Sequence, residues 1–152
     1  MYTVKILDPE RKRAIAREVL EDLPEWFGIP ESTEEYICES GNMPFFACME
    51  KDEILGFMAL KETSPFTCEI YVTGVKKRFH RQGAGSAMFA DFCEYARQQG
   101  HRFVQVKTVA AGRYPEYDAT RKAYEHMGFV ALEVFPTLWD ECNPCLIMVK
   151  AL

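Results

Sequence analysis

Residues 75–89, Val75-Lys-Lys-Arg-Phe-His80-Arg81-Gln82-Gly83-Ala84-Gly85-Ser86-Ala-Met-Phe89, constrain the fold more than any other stretch of the chain. A strand-like run, Cys68 to Val75, passes into a short basic segment with glycines at alternate positions. An amphipathic helix opens directly behind it. Glycine lets a backbone approach a ligand closely and turn with positive φ. The first turn of the helix presents unpaired N–H groups and the positive end of its dipole. Strand, glycine loop and helix N-terminus together predict a seat for a phosphate or pyrophosphate.

The remaining elements follow from periodicity and capping. Met1–Leu7 reads as a first strand, and Asp8-Pro9 starts a helix with Asp8 as N-cap and Pro9 at its first position. Ala14, Ile15, Val19 and Leu20 form its apolar face, and Pro24 ends it. Ser32-Thr-Glu-Glu35 reads as a capping box that opens a second helix, stopping near Gly41-Asn42. Phe45–Met49 and Ile54–Leu60 flank Glu50-Lys-Asp-Glu53 as a hairpin, and Cys68–Val75 is a further strand. Gly83–Gln99 is the best helix pattern, with Met88, Phe89, Phe92, Cys93 and Ala96 on one face and Gly100 closing it. Phe103–Val109 is a β-branched strand, Tyr117–Met127 a helix ended by Gly128, and Phe129–Phe135 and Leu146–Lys150 the last strands. The expected architecture is α/β (α+β): one domain over residues 1–152, with a mixed β-sheet flanked by helices.

Composition narrows the function. The chain has 152 residues, 48% of them hydrophobic, enough for a substantial core, and a net charge of −5 that argues against broad nucleic-acid binding. No apolar run reaches the roughly 18 residues of a membrane span. The N-terminus lacks a signal-peptide pattern, so reduced thiols in a cytoplasmic setting are expected for the six cysteines. Cys142-Asn-Pro-Cys145 is a lone C-x-x-C without a second ligand pair, so no metal site is expected there.

Three families use a glycine loop of this kind. A P-loop would need Lys-Ser/Thr after its last glycine, and Gly85 is followed by Ser86-Ala87. A dinucleotide fingerprint would need a third glycine where Met88 stands and an acidic residue where the next strand carries Lys107. The third family fits. His80-Arg81-Gln82-Gly83-Ala84-Gly85, followed by Thr120-Arg-Lys-Ala123-Tyr124-Glu-His-Met-Gly128-Phe129, resembles the GNAT superfamily of acyl-CoA-dependent N-acyltransferases over nearly the whole chain. His80 stands where that family usually has Gln or Arg.

The resemblance implies an acetyl-CoA-dependent N-acetyltransferase acting by direct transfer. Acetyl-CoA would lie between the fourth and fifth strands, its pyrophosphate on the amides of Arg81, Gln82, Gly83, Ala84, Gly85 and Ser86. The pantetheine would pair with the backbone near Thr73, Gly74 and Val75, where a free N–H would serve as oxyanion donor. Gly74, inside a strand, suits such an approach. Glu69 matches the glutamate base of histone-type members, and strand alternation places it on one face with Tyr71 and Thr73. The competing reading is an exposed carboxylate. Tyr124 matches the usual general acid for the thiolate, against a reading as a core tyrosine. His80 and His126 read as surface or phosphate contacts, and His101 as a helix-end residue.

The acceptor site is expected from the first two helices and the last hairpin. There Trp26 and Phe27 stand beside Glu21, Asp22 and Glu25, and Trp139 beside Asp140. Aromatics with carboxylates suit a small cationic amine. Arg113–Tyr117 is expected to edge the same pocket. A small-molecule amine partner is expected, with no nucleic acid and no membrane, and a homodimer is allowed. A non-catalytic acyl-CoA-binding sensor and a protein or peptide N-acetyltransferase are the alternatives.

Overall fold

A computed structural model describes residues 1–152. Its elements run β1 (Tyr2–Ile6), α1 (Pro9–Glu21), α2 (Pro30–Ser40), β2 (Phe45–Glu50), β3 (Glu53–Glu62), β4 (Thr67–Val75), α3 (Ala84–Gln98), β5 (Phe103–Val109), α4 (Pro115–His126), β6 (Val130–Asp140) and β7 (Asn143–Ala151), with one 3-10 turn at Lys77–Phe79. This is the order that the sequence predicts. Asp8 caps α1 by accepting a hydrogen bond from the Arg11 N–H at 3.1 Å. Two other helices start earlier than expected. α2 begins at Pro30 with Ile29 as N-cap, so Ser32-Thr-Glu-Glu35 lies inside the helix and forms no capping box. α4 begins at Pro115. In both cases the fixed φ of proline suits the first helical position and sets the boundary. α3 is shorter by one residue at each end, because Gly83 is its left-handed N-cap and Gln99 its C-cap.

All seven strands form one sheet in the order β1-β2-β3-β4-β5-β7-β6, antiparallel except for the β4–β5 pair. Alternation along the central strands feeds two apolar layers. Phe45, Ala47, Phe57, Ala59 and Val72 pack with Ile15, Val19, Leu20 and Ile37 of α1 and α2. Phe46, Cys48, Met58, Cys68, Ile70, Val104 and Val106 pack on the other face with Met88, Phe92 and Ala96 of α3 and Tyr124 of α4. β3, wholly apolar from Ile54 to Leu60, is buried on both faces. Each large side chain so buried contributes about 1.5–3 kcal/mol. No helix is long and apolar enough to cross a membrane.

Two departures from the sequence reading position the site. β6 runs on through Pro136 to Asp140, where Phe135 was the expected end. It is an edge strand, and Pro136 falls in the stretch between Phe135 and Asp140 that has no paired partner in β7, where proline is tolerated. The second departure is a β-bulge in β4. Leu60 pairs with Ile70 and Ala59 with Val72, which leaves Tyr71 as the extra residue. The bulge reverses the alternation. Glu69 and Tyr71 turn toward α1 and α2, as does Val72, whereas Thr73 turns to the opposite face. Glu69, Tyr71 and Thr73 therefore do not share one face. Gly74 also faces α1. A Cβ there would stand 2.9 Å from Leu23 Cδ1 and 3.1 Å from Val19 Cγ1, so a larger residue would have to displace these side-chain ends.

Candidate active site

β4 and β5 part company. Only three residue pairs join them, ending at Glu69↔Gln105. Past that point Ile70–Val75 and Val106–Val109 run without pairing each other, and the sheet opens as a wedge. The bulge at Tyr71 bends β4 just where the wedge begins. Backbone polarity then alternates along β4. The Lys76 N–H donates to the Leu55 carbonyl of β3 at 2.9 Å. Thr73 and Val75 must therefore turn their N–H and C=O groups the other way, into the wedge. Gly74 turns its own toward β3, opposite Phe57. The His80 ring donates from Nε2 to the Val75 carbonyl oxygen at 2.6 Å, so that acceptor is engaged while the two N–H groups remain open.

The wedge leads to a concave run of backbone donors. Arg81 has φ 62° and Gly83 φ 89°, left-handed conformations one residue apart. The His80 N–H donates to Lys77 O and the Ala87 N–H to Gly83 O. Between them, the N–H groups of Arg81, Gln82, Gly83, Ala84, Gly85 and Ser86 donate to no acceptor in the chain. Six successive free donors at the start of a 15-residue helix form an anion cradle. Neighbouring groups hold its shape. Ala84 is buried, the Gln82 side-chain amide donates to Arg78 O at 3.2 Å, and a Cβ on Gly85 would meet Met127 Cε at 3.3 Å.

Two ionisable groups of the predicted site lie on either side of the parting strands. Glu69, only 5% exposed, sits at the apex. Gln105 Nε2 donates to its Oε1 at 3.1 Å, and Lys107 Nζ stands 3.3 Å from the same oxygen. The competing reading of Glu69 as an exposed carboxylate is therefore excluded, and a buried carboxylate of this kind needs such partners. Tyr124 is buried from the α3 side, its ring edge-on to Phe129 at 5.6 Å. Burial raises the pKa of its phenol, with Tyr117 adding a smaller push in the same direction. The hydroxyl therefore keeps its proton until strong negative charge develops beside it.

The face of Glu69 is lined by tyrosines. Tyr36 of α2 lies edge-on to Tyr71 at 5.4 Å and to Phe27 at 5.9 Å. Burial pushes Tyr71 up to about 12, with Glu35, Tyr36, Glu39 and Glu69 adding to it. Burial likewise raises Tyr36, helped by Glu35, Glu69 and Cys145. Both remain neutral hydroxyls beside carboxylates. Trp26 ties three parts together: Nε1 donates to Thr120 Oγ1 at 3.3 Å, its carbonyl accepts from the Tyr117 hydroxyl at 3.1 Å, and its ring meets His80 at 6.0 Å. Trp26 thus joins α4 and the His80 ring, and Phe27 lies against Tyr36. Trp139 is exposed, and the Asp140 carboxylate accepts from the Cys142 N–H and the Asn143 amide, capping the β6–β7 turn. That carboxylate is engaged in a structural turn, and no contact joins it to Glu69.

Gln105, Lys107, Tyr36 and Cys145 were not predicted as site residues. A signal existed for the first two: Gln105 and Lys107 alternate with Val104, Val106 and Thr108 in an apolar strand, so both face one side. Cys145, buried opposite Val109, is close enough for Lys107 and Glu69 to influence its thiol, although burial dominates and raises it. All six cysteines are unpaired.

The family model for the acetyltransferase (GNAT) family matches residues 12–129. No curated protein matches the sequence. Among solved structures, one assigned to the GNAT family, from Desulfovibrio desulfuricans, superposes with a TM-score of 0.82 at 21% identity, covering 98% of this chain and 97% of that one. An aminoglycoside 6′-N-acetyltransferase complexed with coenzyme A gives 0.75 at 15% identity, with 99% and 97% covered. A GNAT family acetyltransferase from Elizabethkingia anophelis with acetyl-CoA bound gives 0.67 at 18% identity, with 86% and 88% covered. At these identities the likeness is one of fold.

Proposed function

The chain belongs to the acetyltransferase (GNAT) family, and from that premise we propose that it transfers an acetyl group from acetyl-CoA directly to a primary amine of a small cationic acceptor. One observation carries the reading: the six free N–H groups of Arg81–Ser86 adjoin a wedge whose β4 edge offers the N–H groups of Thr73 and Val75. A pyrophosphate carries the charge that such a cradle selects, and a pantetheine arm carries amides that can bond a free strand edge. Bound there, acetyl-CoA supplies an activated acetyl thioester.

The residues of the chain then divide the work. Most alkylamines are protonated at neutral pH. Glu69 takes the proton that frees the amine; its ion pair with Lys107, an ammonium 3.3 Å from Oε1, supports this role. An N–H of the β4 edge steadies the developing oxyanion. Tyr124 gives a proton to the leaving thiolate. The burial that holds this proton in place also makes a thiolate formed beside it more basic, so donor and acceptor are matched.

The acceptor is placed on the Glu69 face, among Trp26, Phe27, Tyr36 and Tyr71, with Glu35 and Glu39 nearby. Aromatic faces and carboxylates favour an organic cation. Residues 1–152 act as one acetyltransferase domain in this reading, and six unpaired cysteines suit a reducing cytoplasm. The test is a panel of diamines, aminoglycosides, amino acids and peptides incubated with acetyl-CoA, scored by amine-dependent release of thiol and by the mass of the acetylated product. Acetylation of a small cationic amine supports the reading. Acetylation of peptide N-termini alone would replace its acceptor, and acetyl-CoA binding without transfer to any amine would replace the enzyme with a binding module.

A further inference from the structure

We propose that Lys107 is a self-acetylation site, the ε-amine that receives the acetyl group when no external acceptor is bound. The inference rests on the acetyl-transfer reading above, and its observations are those of Lys107 itself. Lys107 lies two residues past the last β4–β5 pair, on the face that Gln105 shares with Glu69. Its Nζ is 3.3 Å from Glu69 Oε1, and its side chain is 36% exposed against 7% for Glu69. The other paired lysines, Lys76 with Glu18 and Lys77 with Glu25, join carboxylates that are 52% and 40% exposed. Lys107 alone among the nine lysines pairs with a buried carboxylate, and it does so at the apex of the wedge. An amine tethered beside its base holds a large advantage over one arriving from solution.

The step balances within the site. One proton of the Lys107 ammonium passes to Glu69 and on to water. The nitrogen lone pair forms a C–N bond to the thioester carbonyl carbon. The C–S bond breaks with its electron pair on sulfur, which takes a proton from Tyr124, and Tyr124 regains one from the second amine proton through solvent. The third stays on the amide. One acetyl-CoA becomes one free thiol, one acetyl-lysine and one released proton. The product carries no charge, so Glu69 loses its cation and keeps Gln105 as its partner.

The experiment incubates the purified chain with acetyl-CoA and no acceptor, follows whole-protein mass, and maps tryptic peptides. Calorimetry on the same preparation measures acetyl-CoA binding. The expected result is one added acetyl group, carried on the peptide Phe103–Arg113 left uncut at Lys107. Its first-order rate is independent of protein concentration. Lys107→Arg should abolish it, and Glu69→Gln should slow it by about 10²-fold while stray acetylation of surface lysines is unchanged. Bound acetyl-CoA with Lys107 unmodified would overturn the inference and leave the acetyltransferase reading standing. So would modification of Lys107 at the rate of surface lysines and unaffected by Glu69→Gln, which marks ordinary chemical acylation. Failure to bind acetyl-CoA at all would overturn both.

Discussion

Gly83 offers the sharpest separation of shape from packing. Its φ of 89° is left-handed, and a Cβ built on it meets nothing within 4 Å. Gly83→Ala therefore introduces no clash, and its whole cost is conformational, about 1–2 kcal/mol for an L-residue held in that region. The loop is exposed, so in the free protein it can relax and shed that strain. Re-forming the cradle on binding then costs the strain again, which is about 5–30-fold in affinity. Gly83→Val should lose more, because its branches extend into the open space that the free N–H groups surround. Calorimetric titration with coenzyme A measures both variants, and thermal denaturation of each should stay close to the parent. Affinities within twofold of the parent for both variants would refute the cradle argument. A collapse in thermal stability would assign Gly83 to folding instead.

Three further outcomes follow from the same geometry. Gly74→Ala should destabilise the fold by about 1–3 kcal/mol, because its Cβ presses on Leu23 and Val19, and a lowered thermal midpoint would show it; an unchanged midpoint would mean that α1 yields freely. Tyr124→Phe should cut kcat by about 10²-fold with acetyl-CoA affinity nearly intact, and equal turnover would return Tyr124 to a packing role. Glu69→Gln should lower the rate near neutral pH by about 10²-fold and recover much of it as pH rises, because the amine then deprotonates unaided; a pH–rate profile superimposable on that of the parent would remove Glu69 as base.

Local signals were legible in the sequence, and pairings across the sheet were not. The glycine loop could be read because left-handed turns and helix starts are written in adjacent residues, Arg81 to Ser86. The apolar face of α3 could be read for the same reason. Pro30 and Pro115 carried a readable start signal that Ser32–Glu35 and the apolar periodicity of α4 obscured. The bulge at Tyr71 has no such local mark. It arises from how Leu60 and Ala59 of β3 align with β4, and it moved Thr73 to the other face. Lys107 meets Glu69 only because parallel pairing sets Glu69 opposite Gln105, a register that depends on the whole β4–α3–β5 crossover. The space left at Gly74 depends on how closely Val19 and Leu23 pack, which no stretch of β4 encodes.

In the proposed function, one continuous site, from the Arg81–Ser86 cradle along the open edge of β4 to Glu69, receives acetyl-CoA. Backbone amide resonances followed during titration with acetyl-CoA test this most directly. The amides of Arg81 through Ser86 and of Thr73 and Val75 should move together with one saturation curve, and the Gly74 amide, paired to β3, should move least along that edge. Saturable shifts confined to other elements, with the Arg81–Ser86 amides unmoved, would contradict it.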